Sequence, residues 1–346
     1  MQAVRIAAIG LDHAHVLNQV AGLVQAGGEL VGSATRDDTS PVARQFRARF
    51  PDAPVRAASD LITDDSIDLI VTAAIPSDRA GIALAAMRAG KDVVSDKPGC
   101  TSVAQLDELR ATVADTERFW SVTFSERFEV PSVARAGEIA RSGAIGTVVQ
   151  TLGLGPHREG PRAQAPGGPG RPSWFYDPDS FGGIITDIAS HQIDQFLWFT
   201  GSTRADVVSS TIGNFAHPGE PSFQDFGEVL LRSDHAQGYV RVDWFTPDGL
   251  PTWGDGRLVI LGTGGYIELR KYLDIEGRPG TNHLFWADAT GTHHEQCEGE
   301  PVTYYSQVLE DVRQRTESAC PQEHTFEVMR LALEAQSLAT RVGRLA

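Results

Sequence analysis

Cysteine is scarce in this chain: Cys100, Cys297 and Cys320 are the only three in 346 residues. None forms a Cys-x-x-Cys pair, and an odd number does not close a disulfide framework, so free thiols in a reducing compartment are expected. No apolar run reaches the length of a membrane-spanning helix. The first ten residues lack the charged start, long apolar stretch and cleavage site of a secretory signal, and the expected location is the cytoplasm. Positive charge is also short: 30 Lys and Arg stand against 45 Asp and Glu, a net charge of -15. A surface that acidic repels nucleic-acid phosphates and anionic lipid, so neither is an expected partner, and an anionic ligand would need a local basic group. There is no internal repeat and no low-complexity tail. What is present is ordinary for a globular protein, 41% hydrophobic and 22% charged, at a length that suggests two domains.

The first third alternates short apolar runs with helical patterns. Strands are expected at 4–9, 30–34, 69–72, 93–95 and 119–123. Helices are expected at 15–26, 40–50, 59–64, 79–89 and 102–116. Strand–helix repetition with short connections implies a parallel sheet covered on both faces, a doubly wound fold. The pattern changes after residue 124. A helix at 131–142 is followed by a long Gly-, Pro- and Arg-rich loop at 156–172 that carries Arg158, Arg162 and Arg171; solvent exposure is their simplest reading, and contact with an acidic ligand or a second subunit the alternative. A helix at 183–200 stops at Gly201. Strands at 225–231, 236–245, 257–261 and 266–270, separated by turn signals, indicate a largely antiparallel sheet, and an amphipathic helix at 325–342 closes the chain.

Three places carry chemistry. The first strand runs into Gly10-Leu11-Asp12-His13-Ala14-His15, where a dinucleotide fold places G-x-G-x-x-G. Only the first glycine is kept; Asp12 and His15 hold the other two positions, and a carboxylate there repels pyrophosphate unless it points away. His13 and His15 either contact the ligand or cap the following helix. After the second strand come Thr35 and Arg36, a hydroxyl and a guanidinium that suit a 2′-phosphate, while Asp37 or Asp38 suits the free ribose of NAD. Asp96-Lys97-Pro98 follows the fourth strand, so Lys97 sits at the carboxyl edge where open α/β sheets bind ligands, and proline fixes the turn that aims it. The strongest signal is 182–194, Gly-Gly-Ile-Ile-Thr-Asp-Ile-Ala-Ser-His-Gln-Ile-Asp. On a helix Asp187 and His191 share a face, with Asp194 near it. A carboxylate beside an imidazole in apolar surroundings suits acid–base work near neutral pH. A satisfied core histidine or a metal site are the alternatives; with no further ligand close in sequence, acid–base chemistry without a metal is preferred.

At these residues the sequence resembles the glucose–fructose oxidoreductase, inositol dehydrogenase and rhizopine-catabolism (Gfo/Idh/MocA) family. The matching stretches are Ile67-Asp68-Leu69-Ile70 with Pro76, Ala89-Gly90-Lys91, Asp96-Lys97-Pro98 where the family usually has Glu-Lys-Pro, Arg127-Phe128 with Pro131, Gly143-Ala144-Ile145-Gly146, and residues 174–194. The resemblance implies an N-terminal Rossmann domain (1–124) and a C-terminal open-faced, largely antiparallel sheet domain (125–346) for substrate binding and oligomerisation, with the last helix packing back toward the first domain. It implies NAD or NADP, held around Gly10, Asp12, His13, Thr35, Arg36, Pro76, Asp96 and Lys97. It implies a small-molecule substrate, a sugar or polyol, near Arg127, Trp174, Asp187 and His191, and assembly as a homodimer or homotetramer. Lys97 would orient substrate and nicotinamide, His191 would exchange a proton with the reacting hydroxyl, and Asp187 would assist. Two other readings remain open at this stage: a glycosidase or lyase that oxidises and re-reduces its substrate on bound NAD, and a non-catalytic dinucleotide-dependent binding protein.

Overall fold

The computed structural model describes residues 3–161 and 170–343; Arg162 lies outside them. Along the chain come β1 (Arg5–Leu11), α1 (Val16–Gln25), β2 (Glu29–Ala34), α2 (Pro41–Arg49), α3 (Ala58–Thr63), β3 (Leu69–Ala73), α4 (Pro76–Arg88), β4 (Asp92–Asp96), α5 (Val103–Thr116), β5 (Trp120–Thr123), α6 (Ser125–Phe128), α7 (Pro131–Arg141) and β6 (Val148–Pro156). After the 156–172 loop follow α8 (Pro178–Phe181), a π-helical turn (Ile185–Ala189) running into α9 (Ser190–Thr200), β7 (Asp206–Asn214), β8 (Phe226–Arg232), β9 (Gln237–Asp243), β10 (Arg257–Gly262), β11 (Tyr266–Arg270), β12 (His283–Asp288) and β13 (Gly291–Gln296). The chain closes with α10 (Tyr304–Gln314), α11 (Gln322–Leu338) and β14 (Thr340–Gly343). The expected helix at 325–342 therefore ends at Leu338, and its last residues pair in parallel with β7 instead.

Two compact units result: residues 1–123, 160–182 and 303–329 form the first, and 124–159, 183–302 and 330–346 the second. The chain changes unit at residue 124, and two later segments, 160–182 and 303–329, rejoin the first unit.

In the first unit all strand pairs are parallel, in the order β2-β1-β3-β4-β5. Beyond β2 the single parallel bridge Ser33–Val55 adds a one-residue strand. Counting it, the order is that of a Rossmann sheet, with the reversal between β1 and β3. Every residue of β3, β4 and β5 is buried, which is why these strands read as unbroken apolar runs. Local signals set the helices: Ser40 caps α2 ahead of Pro41, and Ser102 caps α5 by accepting from the Gln105 amide.

In the second unit nine strands run β13-β12-β11-β10-β6-β9-β8-β7-β14. Neighbours are antiparallel except β6–β9 and β14–β7. Burial alternates along β8 and β10, so one face is packed and the other open. The packed face lies under α7 and α9. A Cβ added to Gly153 would stand 2.9 Å from the Gln192 Cβ, and one at Gly238 2.7 Å from the Phe196 ring. The strand glycines are what let α9 lie this close.

Candidate active site

In the first unit the carboxyl ends of the strands converge on Asp96. Its buried carboxylate receives the Nδ1 of His15 at 2.9 Å, the amide of Gln19 at 3.1 Å and Nη2 of Arg79 at 3.1 Å, with His13 Nδ1 at 3.2 Å. Burial opposes its charge, but His15, Arg79 and His13 hold the carboxyl well below its ordinary range. Arg79, fully buried at the start of α4, also donates to the carbonyls of Ala74 (2.7 Å), Pro98 (3.0 Å) and Lys97. One guanidinium thus joins the end of β3 to the Asp96-Lys97-Pro98 turn, whose Lys97–Pro98 peptide is cis. Lys97 itself is buried. Arg79 was not among the expected site residues, because an arginine in the first turn after a proline is usually solvated.

The loop after β1 is tied down from the same side. Gly10 has φ +80°, and a Cβ there would lie 2.7 Å from the Ala74 Cα, so only glycine fits. The amides of Asp12 and His13 donate to the Ala73 carbonyl at 3.2 and 2.9 Å. Asp12 is turned toward Arg36, whose Nε lies 3.9 Å away, and accepts from the Ile75 amide; burial still raises its pKa. Burial and the adjacent His15 push His13 down to about 4, so it is neutral at physiological pH. Its ring lies 6.5 Å from that of Trp174, which places Trp174 beside this loop. Pro76 opens α4, and the Thr35 hydroxyl accepts from the Asp37 amide.

These residues suit a dinucleotide. They line the carboxyl edge at the point where strand order reverses. The N-terminus of α1 has no acidic residue in its first turn, which favours an anion. Thr123, the register partner of Asp96, carries a buried hydroxyl without a hydrogen-bond partner among the described residues. His13, His15 and Asp96 also bring three ligand-capable atoms within 4.8 Å of one another. The single negative charge of that trio already faces Arg79, which leaves little attraction for a divalent ion.

In the second unit Asp187 and His191 are both buried, Asp187 within the π-helical turn and His191 in the first turn of α9. The expected continuous α-helix is thus interrupted by a π turn, a feature common at functional sites. The opening amides of this helix are satisfied from outside: Ile184 donates to Gln224 Oε1 at 2.9 Å and Ile185 to Gln336 Oε1 at 3.0 Å. Asp194, expected near the Asp187–His191 face, accepts both arms of Arg127 at 2.7 Å. Arg127, expected at the substrate, thus pairs with the helix that carries Asp187 and His191, with its guanidinium also over the Phe128 ring. One residue earlier, Glu126 accepts from Lys271 (2.6 Å) and Gln192 (3.0 Å), all three buried. Sequence spacing gave no hint of this second pair, whose members stand 145 residues apart. Of the loop arginines, Arg158 donates to the carbonyls of Pro247 and Thr252, and Arg171 lies over the Phe175 ring.

Residues 5–124 match the family described as GFO/IDH/MocA oxidoreductases with an NAD-binding Rossmann fold, and residues 133–268 match the GFO/IDH/MocA C-terminal domain. Inositol 2-dehydrogenase 2 of Saccharopolyspora erythraea is 30% identical over 229 residues, covering 63% of this chain and 61% of that protein. The chain spans about three-fifths of the length of the inositol 2-dehydrogenases it matches. A crystal structure from Erwinia carotovora atroseptica SCRI1043 superposes with a TM-score of 0.93 at 45% identity, covering 98% of this chain and 100% of that one. A 3-ketoreductase from Actinomadura kijaniata, crystallised with NADP and TDP-benzene, shares the fold with a TM-score of 0.73 at 17% identity, covering 99% and 100%.

Proposed function

Because this chain belongs to the GFO/IDH/MocA oxidoreductase family, we propose that it is an NAD(P)-dependent dehydrogenase or reductase acting on a secondary alcohol of a sugar, polyol or related cyclic substrate. Two observations support the reading: in the first unit an intact Asp96-Lys97-Pro98 turn locked by Arg79, and in the second Asp187 and His191 buried at a π-helical turn. The inositol dehydrogenase relatives support the substrate class. A cytoplasmic homodimer or homotetramer is part of the same proposal.

Gly10, His13, the α1 N-terminus, Thr35, Arg36 and the Pro76 turn would hold the dinucleotide, with Asp96 and Lys97 nearest its reactive end. The nicotinamide, when bound, supplies the hydride acceptor or donor. In the oxidative direction the Lys97 ammonium donates to the reacting oxygen and stabilises the negative charge that grows there. Neutral His191 takes the hydroxyl proton as general base, and in reduction its imidazolium returns it. Asp187 hydrogen-bonds the substrate and favours the imidazolium that forms.

Incubating the protein with NAD+ or NADP+ and a panel of cyclic polyols and sugars, and following nicotinamide absorbance, tests the reading. The expected result is net reduction with at least one polyol. Substrate consumption without net reduction would replace it with transient redox chemistry, and binding of dinucleotide without any turnover would replace it with a sensor.

A further inference from the structure

The acidic residue in the phosphate loop is not isolated. Arg36, half-exposed after β2, lies with Nε 3.9 Å from Asp12 and donates through Nη2 to Asp78 in the first turn of α4. Asp12 is only 11% exposed, Asp78 42%. The neighbouring charges are already engaged. Asp38 pairs with Arg47 at 3.2 Å, Asp37 accepts from the amide and hydroxyl of Thr39, and Arg44 donates to the Thr39 carbonyl. Four carboxylates (Asp12, Asp37, Asp38, Asp78) thus stand against three guanidiniums (Arg36, Arg44, Arg47), and Arg79, the further cation acting on Asp12, is already paired with Asp96.

We propose that Asp12 and Asp78 hold Arg36 as a neutralising bridge, which makes the site select NAD(H) over NADP(H). This rests on the dinucleotide-dependent reading above. A 2′-phosphate brings nearly two more negative charges into a region whose balance is already negative. Arg36 can meet it only with a charge already shared with Asp12 and Asp78, or by swinging away and taking from Asp12, 11% exposed, the cation that offsets its charge. A free 2′-hydroxyl asks for no such exchange, and the carboxylates beside it are acceptors for its proton. The same bridge explains how aspartate is tolerated where a dinucleotide fold keeps glycine: its carboxylate is drawn onto Arg36 and the Ile75 amide, with its charge offset. Sequence position leaves Arg36 open as a 2′-phosphate ligand; its partners argue against that role.

The test is calorimetric titration of NAD+ and NADP+ into the wild type, Asp78→Asn and the double variant Arg36→Ala/Asp78→Asn. The wild type should bind NAD+ at least tenfold tighter. Asp78→Asn should shift the ratio of the two dissociation constants toward NADP+ by about tenfold or more, and the double variant should lose that shift. A wild type that prefers NADP+, or an Asp78→Asn ratio equal to that of the wild type, overturns the bridge while leaving the oxidoreductase reading intact. Binding of neither dinucleotide to the wild type overturns the oxidoreductase reading and this inference with it.

Discussion

Asp96 and His217 show two ways a carboxylate fixes an imidazole. Asp96 collects His13 and His15 on one buried group, yet burial and the adjacent His15 outweigh its pull and keep His13 uncharged. His217 is instead held between two acids, Asp225 at Nδ1 (2.9 Å) and Glu159 at Nε2 (2.7 Å). Burial pushes His217 down, yet those two hydrogen bonds outweigh it, and its pKa ends above the ordinary 6.5. A value raised by folding stabilises the native state below the unfolded value and fades as pH rises through the folded one. His217→Gln should therefore lower the melting temperature more at about pH 6 than at about pH 9. An equal drop at both would contradict this pairing. The chain's three lysines, Lys91, Lys97 and Lys271, are all buried. Only Lys97 was legible as a chemical residue, because a motif surrounds it; the ion pair of Lys271 depends on a partner far along the chain.

The helix that carries Asp187 and His191 depends on α6. Its consecutive Glu126 and Arg127 pair with Lys271 and Asp194, and Glu126 also holds Gln192. Removing one partner of a buried pair strands the other charge, so Lys271→Met should destabilise the protein by ~3–5 kcal/mol. Glu126→Leu/Lys271→Met should recover much of that loss in denaturant unfolding. A single variant as stable as the wild type would show that the pair contributes nothing. Strands with unbroken apolar runs, such as Leu69–Ala73, were readable. β6 was not, because Gly153 and Gly155, required by Gln192 above them, read as turn residues. The hairpin β12–β13 escaped for another reason: its outer strand, Gly-Thr-His-His-Glu-Gln, lies at a sheet edge and is mostly exposed, so it has no apolar alternation to detect. The π turn likewise leaves no periodic mark.

For the whole molecule, the α/β unit and the mixed, one-face-open sheet both follow from strand periodicity and the Gfo/Idh/MocA resemblance. The discontinuous make-up of the first unit does not, because segments 160–182 and 303–329 join it through contacts such as Gln322 with Trp120 and Tyr304 with Ser121, which span about two hundred residues. The carboxyl-edge residues were placed by motif, whereas the network that holds them, Arg79 above all, became visible only with the fold. In the proposed function Lys97 and His191 perform chemistry and do more than support structure. The most direct measurement of that role compares kcat, and the dinucleotide dissociation constant, of the wild type with those of Lys97→Met and His191→Asn on the polyol that the panel identifies. His191→Asn should lower kcat by about 10²–10⁴-fold and Lys97→Met should also abolish most turnover, while both variants remain folded and bind dinucleotide. Variants that keep kcat within a few-fold of the wild type would contradict that role.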